Sequence, residues 1–187
     1  KEVIEEAKQF GFEMNEEQVS QLTEKRLRDE VRKGDILATI EAPYAELLRA
    51  ERIMLNFLQR MSGIATYTHQ CVQCVAGTKT QILDTRKTAP GHRLTDKMAV
   101  RDGGGTNHRA SLSDMVMLKD NHIAMAGGIL PAVEEVRPHL PISIQIEVET
   151  TTLEEVQEAI DAGADIIMLD NMDIETMRRA VELIDGQ

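Results

Sequence analysis

Residues 115–122, MVMLKDNH, place four apolar side chains before four polar ones. The same order recurs along the chain. Gln81-Ile82-Leu83 precedes Asp84-Thr85-Arg86-Lys87, Ile142 to Ile146 leads into Glu147-Val148-Glu149, and Ile166-Ile167-Met168-Leu169 precedes Asp170-Asn171. Helical patterns intervene at about 92–101, 129–137, 152–162 and 174–184, and Thr151 with Glu154 predicts a capping box for the third of these. Short apolar runs alternating with helices mean parallel strands joined by crossover helices. In an α/β barrel the strand ends and the loops after them converge on one rim, where binding groups collect. Four such units are visible, and a closed barrel normally needs more. The predicted fold class is therefore α/β: a partial (β/α) barrel of parallel strands over 77–187, preceded over 1–76 by part of a smaller α+β domain and its linking helices.

Upstream of the alternation the texture differs. Val3, Ile4, Ala7 and Phe10 predict a helix over residues 1–10, ended by Gly11. Residues 31–40 read as strand, glycine turn at Gly34, strand. That phrase also resembles the hammerhead strands of biotinyl or lipoyl carrier domains, but no lysine in a hairpin of the expected type follows. Pro43 can open a helix, whose apolar stripe runs through Leu47, Leu48, Met54, Leu55, Leu58 and Met61 and is expected to break at Ser62-Gly63. A second helix is predicted through Ile64, Tyr67, Cys71, Val72 and Val75 to Gly77. Cys71 and Cys74 form a C-x-x-C, which could be a redox pair or half a zinc site. No second pair exists, and THQCVQCVAG reads as a helix end, where i and i+3 share a face; buried helical thiols are the expectation.

Composition excludes several classes. Hydrophobic residues at 42% and charged residues at 28% are ordinary for a soluble globular protein. No apolar run approaches bilayer length, and the start KEVIEEAKQF is acidic and amphipathic. Neither a secretory signal nor a transit peptide is visible, so a cytoplasmic location and no membrane partner are expected. A net charge of −11 argues against nucleic acid as a partner.

Residues 84–122 depart from that acidic background. Seven cations (Arg86, Lys87, Arg93, Lys97, Arg101, Arg109, Lys119) less five carboxylates give +2 there, leaving −13 for the rest. An anionic small molecule is the evident reason, although Lys97 and Arg101 can simply dress a helix. Arg86, Lys87, Arg109 and Lys119, with His108 as a further donor, suit a ligand with several negative groups, since guanidinium matches carboxylate or phosphate bidentately and lysine adds a compact charge. Gly103-Gly104-Gly105 permits close backbone approach or positive φ; a flexible turn fits three glycines equally well. Glu149 and Asp170 stand at strand ends opposite the cations. Such acids can bind sugar hydroxyls, hold Mg²⁺ with substrate phosphates, stabilise an oxocarbenium-like centre, or merely balance the cations. Arg52 reads equally as a surface arginine paired with a glutamate.

Glu51-Arg52-Ile53-Met54-Leu55-Asn56, Ser62-Gly63-Ile64-Ala65-Thr66, DTRKTAPGHR, GGGTNHR, LKDNH, IEVE and GADIIMLDN, in that order from about residue 31 to 187, resemble the quinolinate phosphoribosyltransferases (carboxylating nicotinate-nucleotide pyrophosphorylases). The resemblance implies transfer of phosphoribosyl from phosphoribosyl pyrophosphate to quinolinate with decarboxylation, giving nicotinate mononucleotide, pyrophosphate and CO₂ in NAD biosynthesis, with Mg²⁺ as cofactor. It further implies a homodimer with the active site at the subunit interface. Carried over by motif, Arg52 is the substrate arginine given by the neighbouring subunit. Arg86, Lys87, His108 and Arg109 bind the quinolinate carboxylates. Lys119 meets both substrate and donor, and Glu149 and Asp170 serve the ribose and Mg²⁺, directly or through water or substrate. The chain departs from the pattern in Ala42, where a glycine before Pro43 is usual, and in its length. Family members carry further βα units with glycine-rich loops for the donor phosphate, so those groups are expected beyond Gln187. The alternatives are a non-catalytic or incomplete quinolinate-binding fragment, and a related pyridine-acid phosphoribosyltransferase without decarboxylation.

Overall fold

A computed structural model describes residues 29–185; the helix expected over 1–10 lies outside them. Two compact units divide between His108 and Arg109.

The first unit is organised on a 31-residue helix, α1 (Tyr44–Cys74). Pro43 is its N-cap, and the Pro43 carbonyl accepts from the amides of Glu46 and Leu47. The expected break at Ser62-Gly63 does not occur. A helical glycine costs only about 1 kcal/mol relative to alanine, and the Ser62 carbonyl is doubly engaged, since Thr66 Oγ1 also donates to it at 2.7 Å. The C-x-x-C lies in the last turns of α1 as free thiols, Cys71 half-buried and Cys74 exposed, with Cys74 Sγ donating to the Gln70 carbonyl. Helical thiols are therefore right and buried ones wrong. Residues 31–40 turn at Lys33-Gly34, with Gly34 at φ 99°, but their flanks form no ladder.

Helix α2 (Arg93–Asp102) packs on α1. Arg60 clamps Asp96 bidentately, Nε to Oδ1 at 2.7 Å and Nη2 to Oδ2 at 2.6 Å. Phe57 meets His92 with ring centroids 5.5 Å apart. The three glycines after α2 serve this contact. A Cβ on Gly103 would overlap the Ala65 carbonyl and lie 2.7 Å from Thr68 Cβ, and one on Gly105 would lie 2.8 Å from Thr68 Cγ2 and Val100 Cγ1. Gly104 between them takes φ 90°. Gln81-Ile82-Leu83 forms no strand of its own and contributes one parallel bridge, Leu83 to Thr106.

The second unit carries a parallel sheet in the order β1 (Val116–Leu118), β2 (Ile146–Thr150), β3 (Ile166–Leu169). Between β1 and β2 come α3 (Asp120–Ala126), α4 (Ile129–Val136) and a 3₁₀ turn; α5 (Leu153–Asp161) links β2 to β3, and α6 (Ile174–Ile184) follows. Helix α3 was not apparent in LKDNH, which enters it directly after the strand. The apolar run from Ile142 is mostly turn, and β2 begins only at Ile146, where pairing with Val116 on one side and, one residue on, Glu147 with Ile166 on the other becomes possible. The cap of α5 sits one residue later than expected: Thr152 accepts from the Glu155 amide at 3.2 Å, and Glu155 reaches back to Thr151. Leu118, Ile129, Val133, Ile146 and Val148 form the core; full burial of each such side chain contributes roughly 1.5–3 kcal/mol.

Candidate functional site

In the first unit, Asp84 is the hub of the expected cationic cluster. Its Oδ1 accepts from Lys97 Nζ at 2.5 Å and from the His108 amide at 2.8 Å. With its amide nitrogen turned toward Asp84, Asn107 donates to Asp84 Oδ2 and to the Lys97 carbonyl, both at 2.9 Å. Lys97 Nζ also donates to the His108 carbonyl at 2.9 Å. Lys97 is thus buried, and the reading of it as a helix-surface cation is corrected; Arg101 is exposed.

Arg86 and Lys87 follow Asp84 on a loop held by the Lys87 amide donating to Thr85 Oγ1 at 3.0 Å and by Arg93 Nη2 donating to the Arg86 carbonyl at 3.1 Å. Lys87 is exposed and Arg86 half-buried. Arg86 Nε is fully buried and meets no acceptor among the described residues. A guanidinium N–H withdrawn from water without an acceptor is costly, so an anion brought to it would be bound strongly. Arg52 is an exposed residue of α1.

In the second unit, Arg109 is half-buried. Its Nη1 donates to the Met115 carbonyl at 3.0 Å and its Nη2 to Met117 Sδ at 3.3 Å. Lys119, Glu149 and Asp170 come from three adjacent strands. Lys119 follows Leu118, which pairs with Val148, so Lys119 and Glu149 are neighbours in register. Their ion pair measures 2.5 Å, with side chains 44% and 15% exposed. Asp170 stands two residues beyond Met168, the partner of Glu149, and shares that side of the sheet by strand alternation. The Asp170 amide donates to the Thr150 carbonyl at 2.8 Å, and Asn171, at φ 52°, turns its Nδ2 onto Asp170 Oδ2 at 2.7 Å. Lys119 also caps α3, its amide donating to His122 Nδ1 at 3.0 Å, which leaves the imidazole proton on Nε2. Glu147, by contrast, is buried within β2.

In the first unit, then, the backbone of His108 is tied to Asp84, two residues before Arg86; in the second, Lys119, Glu149 and Asp170 stand at the ends of neighbouring strands, and Arg109 reaches the Met115 carbonyl just before β1. Sequence reasoning missed Lys97, Asp84 and Asn107 as the frame around His108. No periodicity distinguishes Lys97 from a surface lysine, because its burial is set by a partner 13 residues away. Among the described residues no three His, Cys, Asp or Glu side chains cluster as a metal cage, and no helix is long and apolar enough to cross a membrane.

Comparison with known proteins gives concordant results. The family described as quinolinate phosphoribosyl transferase, C-terminal domain, matches residues 64–187, and its N-terminal domain matches 19–62. A Bacillus subtilis protein named a probable nicotinate-nucleotide pyrophosphorylase (carboxylating) is 46% identical over 173 residues, 92% of this chain and 60% of its own length. The chloroplastic nicotinate-nucleotide pyrophosphorylase of Arabidopsis thaliana is 47% identical over 85% of this chain and 50% of its own. Among solved structures, NadC from Streptococcus pyogenes superposes with a TM-score of 0.82 at 45% identity, covering 87% of this chain and 57% of that one. The chain thus spans between half and two thirds of the relatives it matches.

Proposed function

The chain belongs to the quinolinate phosphoribosyltransferase family, and from that premise we propose that it transfers phosphoribosyl from phosphoribosyl pyrophosphate to quinolinate with loss of CO₂. The observation that carries the reading is the buried, acceptorless Arg86 Nε on a loop beside exposed Lys87, in a family whose relatives are named for this reaction. A pyridine dicarboxylate supplies acceptors for both.

In this reading Arg86, Lys87, His108 and Arg109 bind the two carboxylates and hold the ring nitrogen toward the anomeric carbon. The nitrogen forms the new C–N bond as the C–O bond to pyrophosphate breaks, and pyrophosphate leaves with that electron pair. The ring nitrogen is then cationic. Its positive charge stabilises the electron pair left on the neighbouring ring carbon when the 2-carboxylate departs as CO₂, and that pair takes up a proton to form the new C–H bond. Lys119, held by Glu149, offers a cation to donor and substrate. Glu149 and Asp170 stabilise positive charge developing on the ribose.

Mg²⁺ is part of the proposal. It is commonly held by one or two carboxylates with substrate phosphates rather than by an all-protein cage, and two acids on adjacent strands fit that pattern. Bound there, it would offset charge on the departing pyrophosphate. A homodimer in which Arg52 serves a neighbouring subunit is supported by the apolar residues α1 leaves exposed, with Leu48, Ile53 and Leu58 each about half accessible. A cytoplasmic location is part of the same proposal.

The test incubates the protein that carries this chain with quinolinate, phosphoribosyl pyrophosphate and Mg²⁺. Nicotinate mononucleotide and CO₂ in equal amounts are expected. Turnover of nicotinate in place of quinolinate, or neither product, would overturn the proposal. One carboxylate fewer leaves part of the cationic group unpaired, so discrimination against nicotinate should be strong.

A further inference from the structure

The ion pair between Lys97 and Asp84 in the first unit is almost fully withdrawn from water: the Lys97 side chain is 5% and that of Asp84 7% exposed. Desolvating an ion pair costs more than an apolar filling of the same volume would, so such a pair is weak evidence for stability and better evidence for direction. Here the direction is specific. Asp84 takes the amide hydrogen of His108, Lys97 donates to the carbonyl of the same residue, and Asn107 is tied to both. His108 is therefore gripped at both backbone polar atoms. Asp84 itself lies two residues before Arg86, and the Leu83–Thr106 bridge lays the two segments side by side.

We propose that Lys97 and Asp84 are positioning residues which fix the spacing between Arg86 and His108, and so set the affinity for a dicarboxylate relative to that for the phosphoribosyl donor. The inference rests on the quinolinate reading above. Neither residue touches the ligand; an apolar pair of similar size would join the segments but could not orient the peptide of His108.

The experiment compares Lys97→Met/Asp84→Leu with the parent in the whole protein. It measures quinolinate and phosphoribosyl pyrophosphate affinities by calorimetry, urea stability, and amide exchange at His108. Removing both charges together leaves neither uncompensated, so the double variant is expected to fold. Misplacing one charge-assisted contact should weaken quinolinate on the order of tenfold or more. Donor affinity should stay unchanged, and the His108 amide should exchange faster. A purely packing role would lower urea stability and leave the ratio of the two affinities where it was; that result overturns the inference. If the double variant does not fold, Asp84→Asn, which keeps shape and an acceptor, is read by the same ratio. A parent protein that fails to bind quinolinate sinks the functional reading instead. The exchange rate at His108 then decides the clamp alone, and an unchanged rate overturns it.

Discussion

Glu158 on α5 gives the sharpest test of how the second unit is held. Helix α4 begins after Gly128, which has no side chain to cap it, and Glu158 Oε1 accepts instead from the amides of Ile129 at 2.8 Å and Leu130 at 3.2 Å. Gly128 suits that approach: its φ of 148° is one that side-chain-bearing residues rarely adopt, and a Cβ there would stand 3.0 Å from the same oxygen. In Glu158→Ala the two amides differ in fate. Leu130 is exposed and turns to water, whereas Ile129 is completely buried, and stranding its N–H costs about 1–3 kcal/mol. Loss of the negative charge at a helix N-terminus adds roughly 0.3–1 kcal/mol. Glu158→Gln keeps an acceptor and should lose only that smaller share. In urea titrations the alanine variant should show a lower midpoint at constant slope, with faster exchange at the Ile129 amide and the glutamine variant near the parent. Equal losses in both variants, or an alanine variant within about 0.5 kcal/mol of the parent, would refute the reasoning that a carboxylate oxygen satisfies a buried donor.

Arg86→Ala removes the guanidinium whose Nε is buried and should weaken quinolinate binding by roughly 1.5–3 kcal/mol, read by calorimetry; unchanged affinity removes Arg86 from the site. Gly105→Ala drives a methyl against Thr68 Cγ2 and Val100 Cγ1 and should cost about 1–3 kcal/mol. Part of that loss should be recovered in the double variant with Thr68→Ala, and strict additivity in a thermal double-mutant cycle would contradict the contact. The Asp96 carboxyl is held below the usual carboxylate range, first by its hydrogen bonds from Arg60. A depressed folded value means the contribution is complete above the unfolded value of about 4 and is lost as pH falls through the folded one. Stability curves of the parent and Asp96→Asn should therefore differ most at neutral pH and converge in acid; a constant gap down to the lowest pH would be the wrong result.

Where one apolar period decided the outcome, the chain was legible. Ile166–Leu169 and the helices at 93–102, 129–136, 153–161 and 174–184 emerge within a residue or two of expectation, because each has its own amphipathic pattern. Pairing and length were harder. Ile142 to Ile146 has the residues of a strand, but the ladder places β2 later, and Gln81–Leu83 finds only one bridging partner. Ser62-Gly63 looked like a stop because glycine weakens a helix locally, while contacts on either side of it to α2 and to Gly103 and Gly105 hold α1 through. In the site, Lys119, Glu149 and Asp170 were readable as charges at strand ends. The frame around His108 was not, since it consists of backbone atoms and of a lysine whose burial follows from its partner.

The unbroken course of α1 gives Arg52 a fixed phase. Its 31 residues run about 46 Å as one rod. Arg52 projects from the same rod whose later turns are locked by Arg60 on Asp96 and by Ala65 and Thr68 on the glycines. Its azimuth is thus dictated two to four turns away. A single residue inserted after Ser62 would leave the grip on Gly103 in place and swing everything upstream by about 100° around the axis. Insertions of three or four residues would nearly restore the direction while sliding Arg52 along it, so the helix acts as a dial whose tolerated lengths repeat with the helical turn.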